Sequence, residues 1–204
     1  MRMSIRAAWL AGMLWPLLAL SAAAQVEGQF ERIGLVPAKN SLDTVVLEEY
    51  INFTCPHCNS FRTASLPLTK KYAKRLDRRY VPILFRGQND AALRLFHIAR
   101  KNGKEAEIVN ALFDATFKYG VNINDAAIVN YLARSSGLAD VYEREFAADW
   151  VSQKLAESHQ KADAAGITAT PTVVLNNALR VTPQGGMNEF VGNLDQIIGQ
   201  LLKP

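Results

Sequence analysis

The chain has two cysteines, Cys55 and Cys58, and only Pro56 and His57 separate them. A disulfide stabilises a fold mainly by closing a long loop, because the constraint on the unfolded chain grows with loop length. A bridge across two residues constrains very little, so this pair is badly placed to serve stability. It is well placed for thiol–disulfide exchange, in which a thiolate attacks a disulfide and a second thiol resolves the product. We therefore predict that Cys55 and Cys58 form a redox-active pair.

The position of Cys55 in the sequence favours the thiolate that this chemistry needs. Thr54 can cap a helix and Pro56 is tolerated in a first turn, so the pattern places Cys55 at a helix N-terminus. Unpaired N–H groups and the positive end of the helix dipole stabilise an anion there, and a protonated His57 adds charge. A low pKa makes Cys55 a good leaving group and its disulfide strongly oxidising. Cys58, one turn later, is expected to be more buried, to have the higher pKa and to act as the resolving thiol.

A strand that leads into this helix is predicted over residues 44–52, which are rich in β-branched side chains and alternate in character. Glu49 shares one face of that strand with three aliphatic residues, whereas Glu48, on the opposite face, has more polar neighbours. Burial on the aliphatic face would raise the pKa of Glu49. The alternative is a partly exposed strand carboxylate with no part in the chemistry.

The helix after Cys55 is predicted to run to about Arg79, with a kink at Pro67. Six basic residues near its end fall on two adjacent helical rows: Lys70, Lys71, Lys74, Arg75, Arg78 and Arg79. One interpretation of these rows is a solvated face favoured by the helix dipole, and the other is a docking patch for an acidic partner. A buried strand is predicted next, over residues 81–85.

Residues 90–165 have a helical pattern almost throughout, with glycines between the segments. The predicted helices cover residues 91–101, 104–118, 125–136 and 140–165. This is more helix than one crossover between strands requires, so we predict an inserted helical domain over residues 90–165.

Strand character returns after this block, at residues 172–175. The turn Asn176-Asn177 then leads into a second strand over residues 179–181, which predicts a hairpin, and a last helix is predicted over residues 188–202. The expected fold class is therefore α/β, with a strand-containing domain built from residues 25–89 and 166–204 and interrupted by the helical insertion.

The first 24 residues have the pattern of an export signal. Arg2 and Arg6 give a positive start, residues 7–20 are apolar and uncharged, and small residues precede the predicted cleavage after Ala24. An uncleaved membrane anchor is the alternative, but the apolar run is shorter than the roughly 20 residues that span a bilayer, and Pro16 interrupts it. Export places the cysteines in an oxidising compartment, where such a pair is normally joined.

Composition and charge exclude several classes of protein. Of 204 residues, 49% are hydrophobic, which argues against a disordered chain, a collagen-like repeat or a disulfide-rich miniprotein. There are 23 basic and 19 acidic side chains, and without Arg2 and Arg6 the excess of positive charge is only two. This balance gives no reason to expect a nucleic-acid partner.

Residues 49–58, with the sequence EYINFTCPHC, resemble the active-site segment of DsbA-type thiol:disulfide oxidoreductases, of which Cys-Pro-His-Cys is the signature. The segment Thr170-Pro171-Thr172 resembles the loop that carries a cis-proline facing the active-site sulfur in thioredoxin-fold proteins. Residues 182–187 resemble a segment near the end of such proteins. The resemblance covers essentially all of residues 25–204.

This resemblance implies a thioredoxin fold with an inserted helical domain. It also implies a monomeric, periplasmic dithiol oxidase that introduces disulfides into reduced, folding exported proteins and needs no bound cofactor. Its reoxidant would be a quinone-linked membrane protein of the DsbB type. Glu49 would correspond to the buried acid beneath the cysteines that moves protons for Cys58, and Thr170 and Pro171 would contact the substrate.

Two alternatives remain open. A disulfide isomerase or reductase uses the same kind of site, and Thr170 stands where many oxidases of this family have valine and related isomerases often have threonine. Such isomerases generally carry an N-terminal dimerisation domain, and only about 20 residues precede the first strong strand, which favours the oxidase. The other alternative is a redox-inert metal-binding or chaperone-like module. A structural zinc site needs four ligands, and His97 and His159 have no ligand-like spacing, so no metal is expected.

Overall fold

The computed structural model describes residues 26–33 and 43–202. The predicted export signal, residues 1–24, lies outside the described residues. Within these two ranges, no helix combines the length and the apolar character that crossing a bilayer requires. The described part of the chain has the predicted α/β class of fold.

A mixed sheet of five strands forms the centre of the described residues. The strands are β1 (Glu31–Arg32), β2 (Val45–Ile51), β3 (Leu76–Pro82), β4 (Thr172–Leu175) and β5 (Leu179–Val181). Their spatial order is β1-β5-β4-β2-β3, in which β2 and β3 are parallel and the other neighbours are antiparallel. All seven residues of β2 are buried, as expected for a strand inside a sheet that is covered on both faces.

Helices supply the connections and cover the sheet. They are α1 (Pro56–Ala64), α2 (Leu66–Tyr72), α3 (Ala91–Lys101), α4 (Glu105–Phe117), α5 (Ala126–Ser135), α6 (Ala139–Glu145), α7 (Asp149–Ala164) and α8 (Met187–Leu201), with a 3₁₀ turn at Ala73–Arg75. Helices α1 and α2 form the crossover that the parallel pair β2–β3 requires. They are separated at Ser65, so Pro67 lies in the first turn of α2, where its missing N–H has no partner to lose. The segment from α3 to α7 lies between β3 and β4.

Alternate residues of β2 enter different hydrophobic cores. Leu47 packs in one core with Phe61 of α1 and Leu194 of α8. Tyr50, on the opposite face, packs with Ala162 of α7. The predicted strand over residues 44–52 is therefore confirmed, and the face that contains Leu47 and Glu49 is the face covered by α1, α2 and α8.

The predicted helix to Arg79 is wrong, because α2 ends at Tyr72 and β3 already begins at Leu76. The strand predicted over residues 81–85 therefore starts too late. All seven residues of β3 pair with β2 in parallel register. Backbone hydrogen bonds along this whole strand, together with the burial of Leu76, outweigh the local helix propensity of the basic residues.

The six basic residues consequently do not share one helical face, which both interpretations of them had assumed. Lys71 pairs with Asp195 of α8, and Arg79 pairs with Asp77 of its own strand. Arg78 projects from β3 into the protein, where its side chain is largely buried. The basic residues that form ion pairs therefore lie on different elements, α2 and β3, and not on one helical face.

The predicted helix over residues 140–165 is two helices, α6 and α7, whereas α3, α4 and α5 keep close to their predicted bounds. The break lies at residues 146–148. There the guanidinium of Arg94 donates to the carbonyl oxygen of Phe146 at 2.8 Å and stacks on its ring. In a continuous helix the carbonyl oxygen of Phe146 would accept a hydrogen bond from the helix backbone.

The segment from α3 to α7, residues 91–164, is called the helical block below. His97, on α3, is a buried titratable residue of this block. Its side chain is packed against Phe96, and its Nε2 atom has no hydrogen-bond partner among the described residues. Burial, assisted by the positive charges of Arg100 and Lys154, lowers the pKa of His97 to about 4, while Glu157 has the opposite effect. The imidazole is therefore neutral in the native protein at neutral pH.

We expect His97 to make the fold sensitive to acid. The unfolded chain takes up this proton near pH 6.5 and the folded chain only near pH 4, so the free energy of unfolding falls as the pH falls through that window. The loss amounts to about 3 kcal/mol below pH 4. Urea unfolding between pH 7 and about pH 4 measures it. His97→Leu should remove most of this loss, with His159→Leu as the matched control; an undiminished loss in His97→Leu would contradict the assignment.

Candidate active site

The turn that joins β2 to α1 places Cys55 at the start of the helix. Cys55 has extended backbone angles, φ −85° and ψ 117°, and Pro56 is the first residue of α1. Thr54 was predicted to cap this helix, but it does not. Its N–H and its hydroxyl both donate to Oδ1 of Asn52, at 2.9 and 2.7 Å. The N–H groups of the first helical turn therefore remain available to the Cys55 sulfur.

The two sulfurs occupy contrasting environments. Cys55 is partly exposed, Cys58 is fully buried, and both are free thiols. A hydrogen bond from the Cys58 thiol lowers the pKa of Cys55 to about 5, with further help from Thr170 and from the N–H groups of Cys58 and His57, although burial opposes the shift. The same hydrogen bond, together with burial, raises the pKa of Cys58. An accessible thiolate thus lies beside a protonated, enclosed thiol.

The loop before β4 lies against Cys55. The Thr170–Pro171 peptide bond is cis, as the resemblance implied. The Cys55 thiol donates to the carbonyl oxygen of Thr170 at 3.2 Å. The Thr170 hydroxyl is buried and has no hydrogen-bond partner within the described ranges, so it is available to donate to the sulfur once Cys55 is ionised. This loop therefore supplies polar groups to the same sulfur that the helix N-terminus approaches.

A cavity of about 560 Å³ opens beside this arrangement. Its lining includes His57, Ser60, Thr170, Pro171, Pro183 and Met187. His57 is exposed, and its contribution to the low pKa of Cys55 comes through its backbone N–H. The cavity thus lies next to the residues that flank the Cys55 sulfur.

Glu49 is fully buried on the face of β2 that is covered by α1 and α2. Nε and Nη2 of Arg78 donate to its Oε2 atom at 2.9 and 2.5 Å. Its Oε1 atom has no hydrogen-bond partner among the residues described. Burial raises the pKa of Glu49, although the charge and hydrogen bonds of Arg78 act in the opposite direction. Glu49 shares its face of β2 with Ile51, which belongs to the same hydrophobic core as Cys58.

Arg78 and a second buried carboxylate were missed from the sequence. Glu48 is also buried, and its Oε1 accepts a hydrogen bond from Lys161 of α7 at 2.6 Å. Burial and the neighbouring Glu48 raise the pKa of Tyr50. Recognition of β3 as a strand would have revealed Arg78, because strand alternation puts it on the face of the sheet that contains Glu49.

The described residues contain no cluster of three or more His, Cys, Asp or Glu side chains that could hold a metal ion. His97 lies on α3 and His159 on α7, both within the helical block.

Comparisons with known proteins agree with this geometry. Residues 69–196 match the family described as the DSBA-like thioredoxin domain. The matched stretch begins after Cys58, so the roles of the cysteines rest on the geometry given above. The chain is also 26% identical over 149 residues to the thiol:disulfide interchange protein DsbA of Pseudomonas syringae pv. tomato, which covers 72% of this chain and 70% of that protein.

Solved structures share the fold. DsbA of Pseudomonas aeruginosa superposes with a TM-score of 0.72 at 20% identity and covers 85% of this chain and 92% of its own. The oxidoreductase DsbA of Xylella fastidiosa gives a TM-score of 0.70 at 22% identity and covers 79% and 88%. The oxidoreductase NmDsbA1 of N. meningitidis gives 0.68 at 14% identity and covers 88% and 95%. These similarities confirm the predicted thioredoxin fold with its helical content.

Proposed function

Because this chain belongs to the DSBA-like thioredoxin domain family and is a thiol:disulfide oxidoreductase, we propose that it acts as an exported dithiol oxidase. Its substrates would be reduced proteins that are still folding, and the Cys55–Cys58 disulfide would be transferred to them. The observation that carries this proposal is the contrast between the two sulfurs. The partly exposed Cys55 has a pKa of about 5, whereas burial and the hydrogen bond to Cys55 raise the pKa of Cys58.

The reaction proceeds in two exchange steps. A substrate thiolate attacks Cys55 of the disulfide; a bond forms between the substrate sulfur and Cys55, and Cys58 leaves as a thiolate that must take up a proton. A second substrate thiolate then attacks the first substrate sulfur, and Cys55 leaves. The substrate gains a disulfide and loses two electrons, and the enzyme gains two electrons and one proton, which leaves Cys55 as a thiolate and Cys58 as a thiol. The low pKa of Cys55 favours the second step, because a stabilised thiolate is a good leaving group.

Glu49 is the proposed proton carrier for Cys58. Its raised pKa and its Oε1 atom, which lacks a partner among the described residues, are consistent with a carboxyl that gains and loses a proton during the cycle. Thr170 and Pro171 are the proposed substrate contacts, since both line the cavity and Thr170 also contacts the Cys55 sulfur. Pro56 and His57 complete the proposed site by shaping the first turn of α1.

The remaining parts of the proposal concern the protein's surroundings. We propose that residues 25–89 and 166–204 form the thioredoxin-like domain and residues 90–165 the inserted domain. The chain would be exported to the periplasm after cleavage behind Ala24 and would act there as a monomer. A quinone-linked membrane protein of the DsbB type would regenerate the Cys55–Cys58 disulfide, and no bound cofactor would be required.

A second candidate is a disulfide isomerase or reductase that uses the same cysteines. The feature in its favour is the identity of Thr170, which precedes the cis-proline, where many oxidases of this family have valine and related isomerases often have threonine. The two candidates differ in the redox equilibrium that they predict, since an oxidase needs a less stable disulfide than a reductase.

The equilibrium with glutathione tests the proposed function. We expect a strongly oxidising equilibrium constant, and we expect the ultraviolet absorbance of the Cys55 thiolate to titrate near pH 5. At pH 7 the thiolate would then exceed the thiol by roughly a hundredfold. A strongly reducing equilibrium constant would favour the reductase. Titration of Cys55 in the range of an ordinary cysteine would refute the proposed basis of its oxidising power.

A further inference from the structure

Three polar side chains form a closed ring of hydrogen bonds behind the turn that carries Cys55. Asn52 is buried, and its Nδ2 donates to Oε1 of Gln88 at 2.7 Å. Nε2 of Gln88 donates to Oγ1 of Thr54 at 2.6 Å, and the Thr54 hydroxyl donates to Oδ1 of Asn52 at 2.7 Å. Each donor in the ring meets an acceptor, so the three side chains fix one another's positions.

The ring acts directly on the backbone that positions the sulfur. Thr54 donates its N–H to Oδ1 of Asn52, and Cys55 donates its N–H to the carbonyl oxygen of Asn52 at 3.0 Å. The backbone N–H of Asn52 also contributes a hydrogen bond to the sulfur of Cys58. The conformation of residues 52–55 therefore depends on the Asn52 side chain, whose amide is fixed by Gln88 and by the carbonyl oxygen of Ile83.

Gln88 belongs to the connection between β3 and α3. Its Oε1 accepts a second hydrogen bond, from the N–H of Phe85 at 2.8 Å, which folds the connection around its amide group. Asn89, the next residue, makes its hydrogen bonds to a different part of the chain. The N–H and the side-chain amide of Asn89 donate to Asn124, in the segment between α4 and α5. Consecutive residues of this connection thus link the active-site turn to the helical block.

We propose that Gln88 is a positioning residue for the thiol chemistry, which holds the turn of residues 52–55 and thereby fixes Cys55 at the N-terminus of α1. Its effect is transmitted through Asn52 and Thr54, because Gln88 contacts neither sulfur. The proposal rests on the proposed function, since it concerns the reactivity of Cys55. It adds that the connection to the helical block, and not only the helix that follows Cys55, determines that reactivity.

The test uses Gln88→Met in the full-length protein, because methionine preserves the volume of glutamine and cannot complete the ring. We expect the pKa of Cys55, measured from thiolate absorbance, to rise by about half a unit to one unit. The oxidising equilibrium constant with glutathione should fall about three- to tenfold, because a less stable thiolate makes a less oxidising disulfide. A side chain with a merely structural role would lower the stability to urea without changing either value.

Gln200→Met is the matched control. Oε1 of Gln200 accepts from the N–H of Glu27, and Nε2 donates to the carbonyl oxygen of Glu27, both at 2.8 Å, near the C-terminal end of α8. This variant loses comparable amide hydrogen bonds at the opposite end of α8 from Met187, which lines the cavity beside the active site. It should keep the wild-type pKa of Cys55 and the wild-type equilibrium constant with glutathione. Thr54→Val, which removes the hydroxyl of the ring, provides the second variant and decides the matter if Gln88→Met does not fold.

The outcomes separate this inference from the proposed function. If the wild-type protein is oxidising and both ring variants keep its Cys55 pKa and its equilibrium constant, the positioning role of Gln88 is overturned while the function stands. If the wild-type equilibrium constant is strongly reducing, the proposed function fails. If the wild-type Cys55 itself titrates like an ordinary cysteine, the proposed basis of its oxidising power fails, and the inference fails with it. A shift in the ring variants but not in Gln200→Met supports the inference.

Discussion

Replacing Cys55 with serine should abolish disulfide transfer to a reduced substrate protein, with a loss in rate on the order of 10³-fold or more. Serine has almost the size of cysteine but cannot form the disulfide that is passed on. The same variant should trap no substrate, because the remaining Cys58 is fully buried and its pKa is raised. The measurement is the rate at which a reduced model substrate gains disulfides when wild-type or variant protein, each first treated with the same oxidant and freed of it, is added in excess.

Cys58→Ser is the matched comparison, and it should behave differently. This variant retains the accessible Cys55, whose thiolate can attack a disulfide of a substrate protein: a bond forms between Cys55 and one substrate sulfur, and the other substrate sulfur leaves as a thiolate. The variant lacks the thiol that would then resolve this mixed disulfide, so complexes with disulfide-containing substrate proteins should accumulate. Non-reducing electrophoresis after acid quenching shows these complexes directly. If the two variants trapped substrate equally, or if neither did so, the assignment of Cys55 as the attacked sulfur and Cys58 as the resolving sulfur would be wrong.

Arg78→Met should lower the free energy of unfolding by about 3–5 kcal/mol, the range expected when one partner of a buried ion pair is removed. Glu49 is fully buried, and the Arg78 side chain is only 12% exposed, so water cannot replace the lost guanidinium. Without it the Glu49 carboxylate has no compensating charge. Urea unfolding at neutral pH measures the change.

Two further variants make this prediction specific. Arg79→Met removes the neighbouring arginine on β3, whose side chain is 53% exposed and pairs with Asp77, so it should cost less than about 1 kcal/mol. Adding Glu49→Gln to Arg78→Met should restore part of the stability, because the unpaired charge is then gone. Equal losses from the two arginine variants would show that the buried pair has no special importance.

The pH dependence of Arg78→Met follows from the same argument. With Arg78 removed, only burial acts on the Glu49 carboxyl, so its folded pKa stays above that of the unfolded chain. The folded state then holds the Glu49 proton more tightly than the unfolded chain does. The loss of unfolding free energy that comes from burying the Glu49 carboxylate is therefore absent below the unfolded pKa of Glu49 and grows as the pH rises through its folded pKa. The stability gap between Arg78→Met and wild type should therefore narrow in acid. A gap that stayed constant would assign the loss to packing instead of charge.

The spacing of Cys55 and Cys58 was sufficient to predict the chemistry, because the argument depends only on loop length and on the helix that begins there. The strand before them was also predictable, since its alternation appears within nine residues. Helices α3, α4 and α5 followed from local patterns of apolar residues and from glycines at their ends. In each case the information lies within a short stretch of chain, where helix and strand periodicity operate.

Features that depend on a distant partner were not predictable in the same way. Helix α2 stops at Tyr72 and the chain pairs as β3 with β2. The helix predicted over residues 140–165 is broken at residues 146–148, where Arg94 of α3 binds the carbonyl oxygen of Phe146. Thr54 was expected to cap α1, but it bonds to Asn52 in the ring that Gln88 closes. Local propensities differ by less than about 1 kcal/mol per residue, so tertiary pairing overrides them.

A cysteine pair at a strand-to-helix junction could be identified from local sequence alone, because two residues of spacing and one alternating strand are local properties of the chain. The groups that surround that pair depend on tertiary contacts. Thr170 contacts the Cys55 sulfur, Arg78 forms an ion pair with Glu49, and Gln88 accepts a hydrogen bond from Asn52. Each of these residues lies more than 20 positions from its partner in the sequence. Such contacts are set by how strands and helices pack, and packing depends on the whole chain at once.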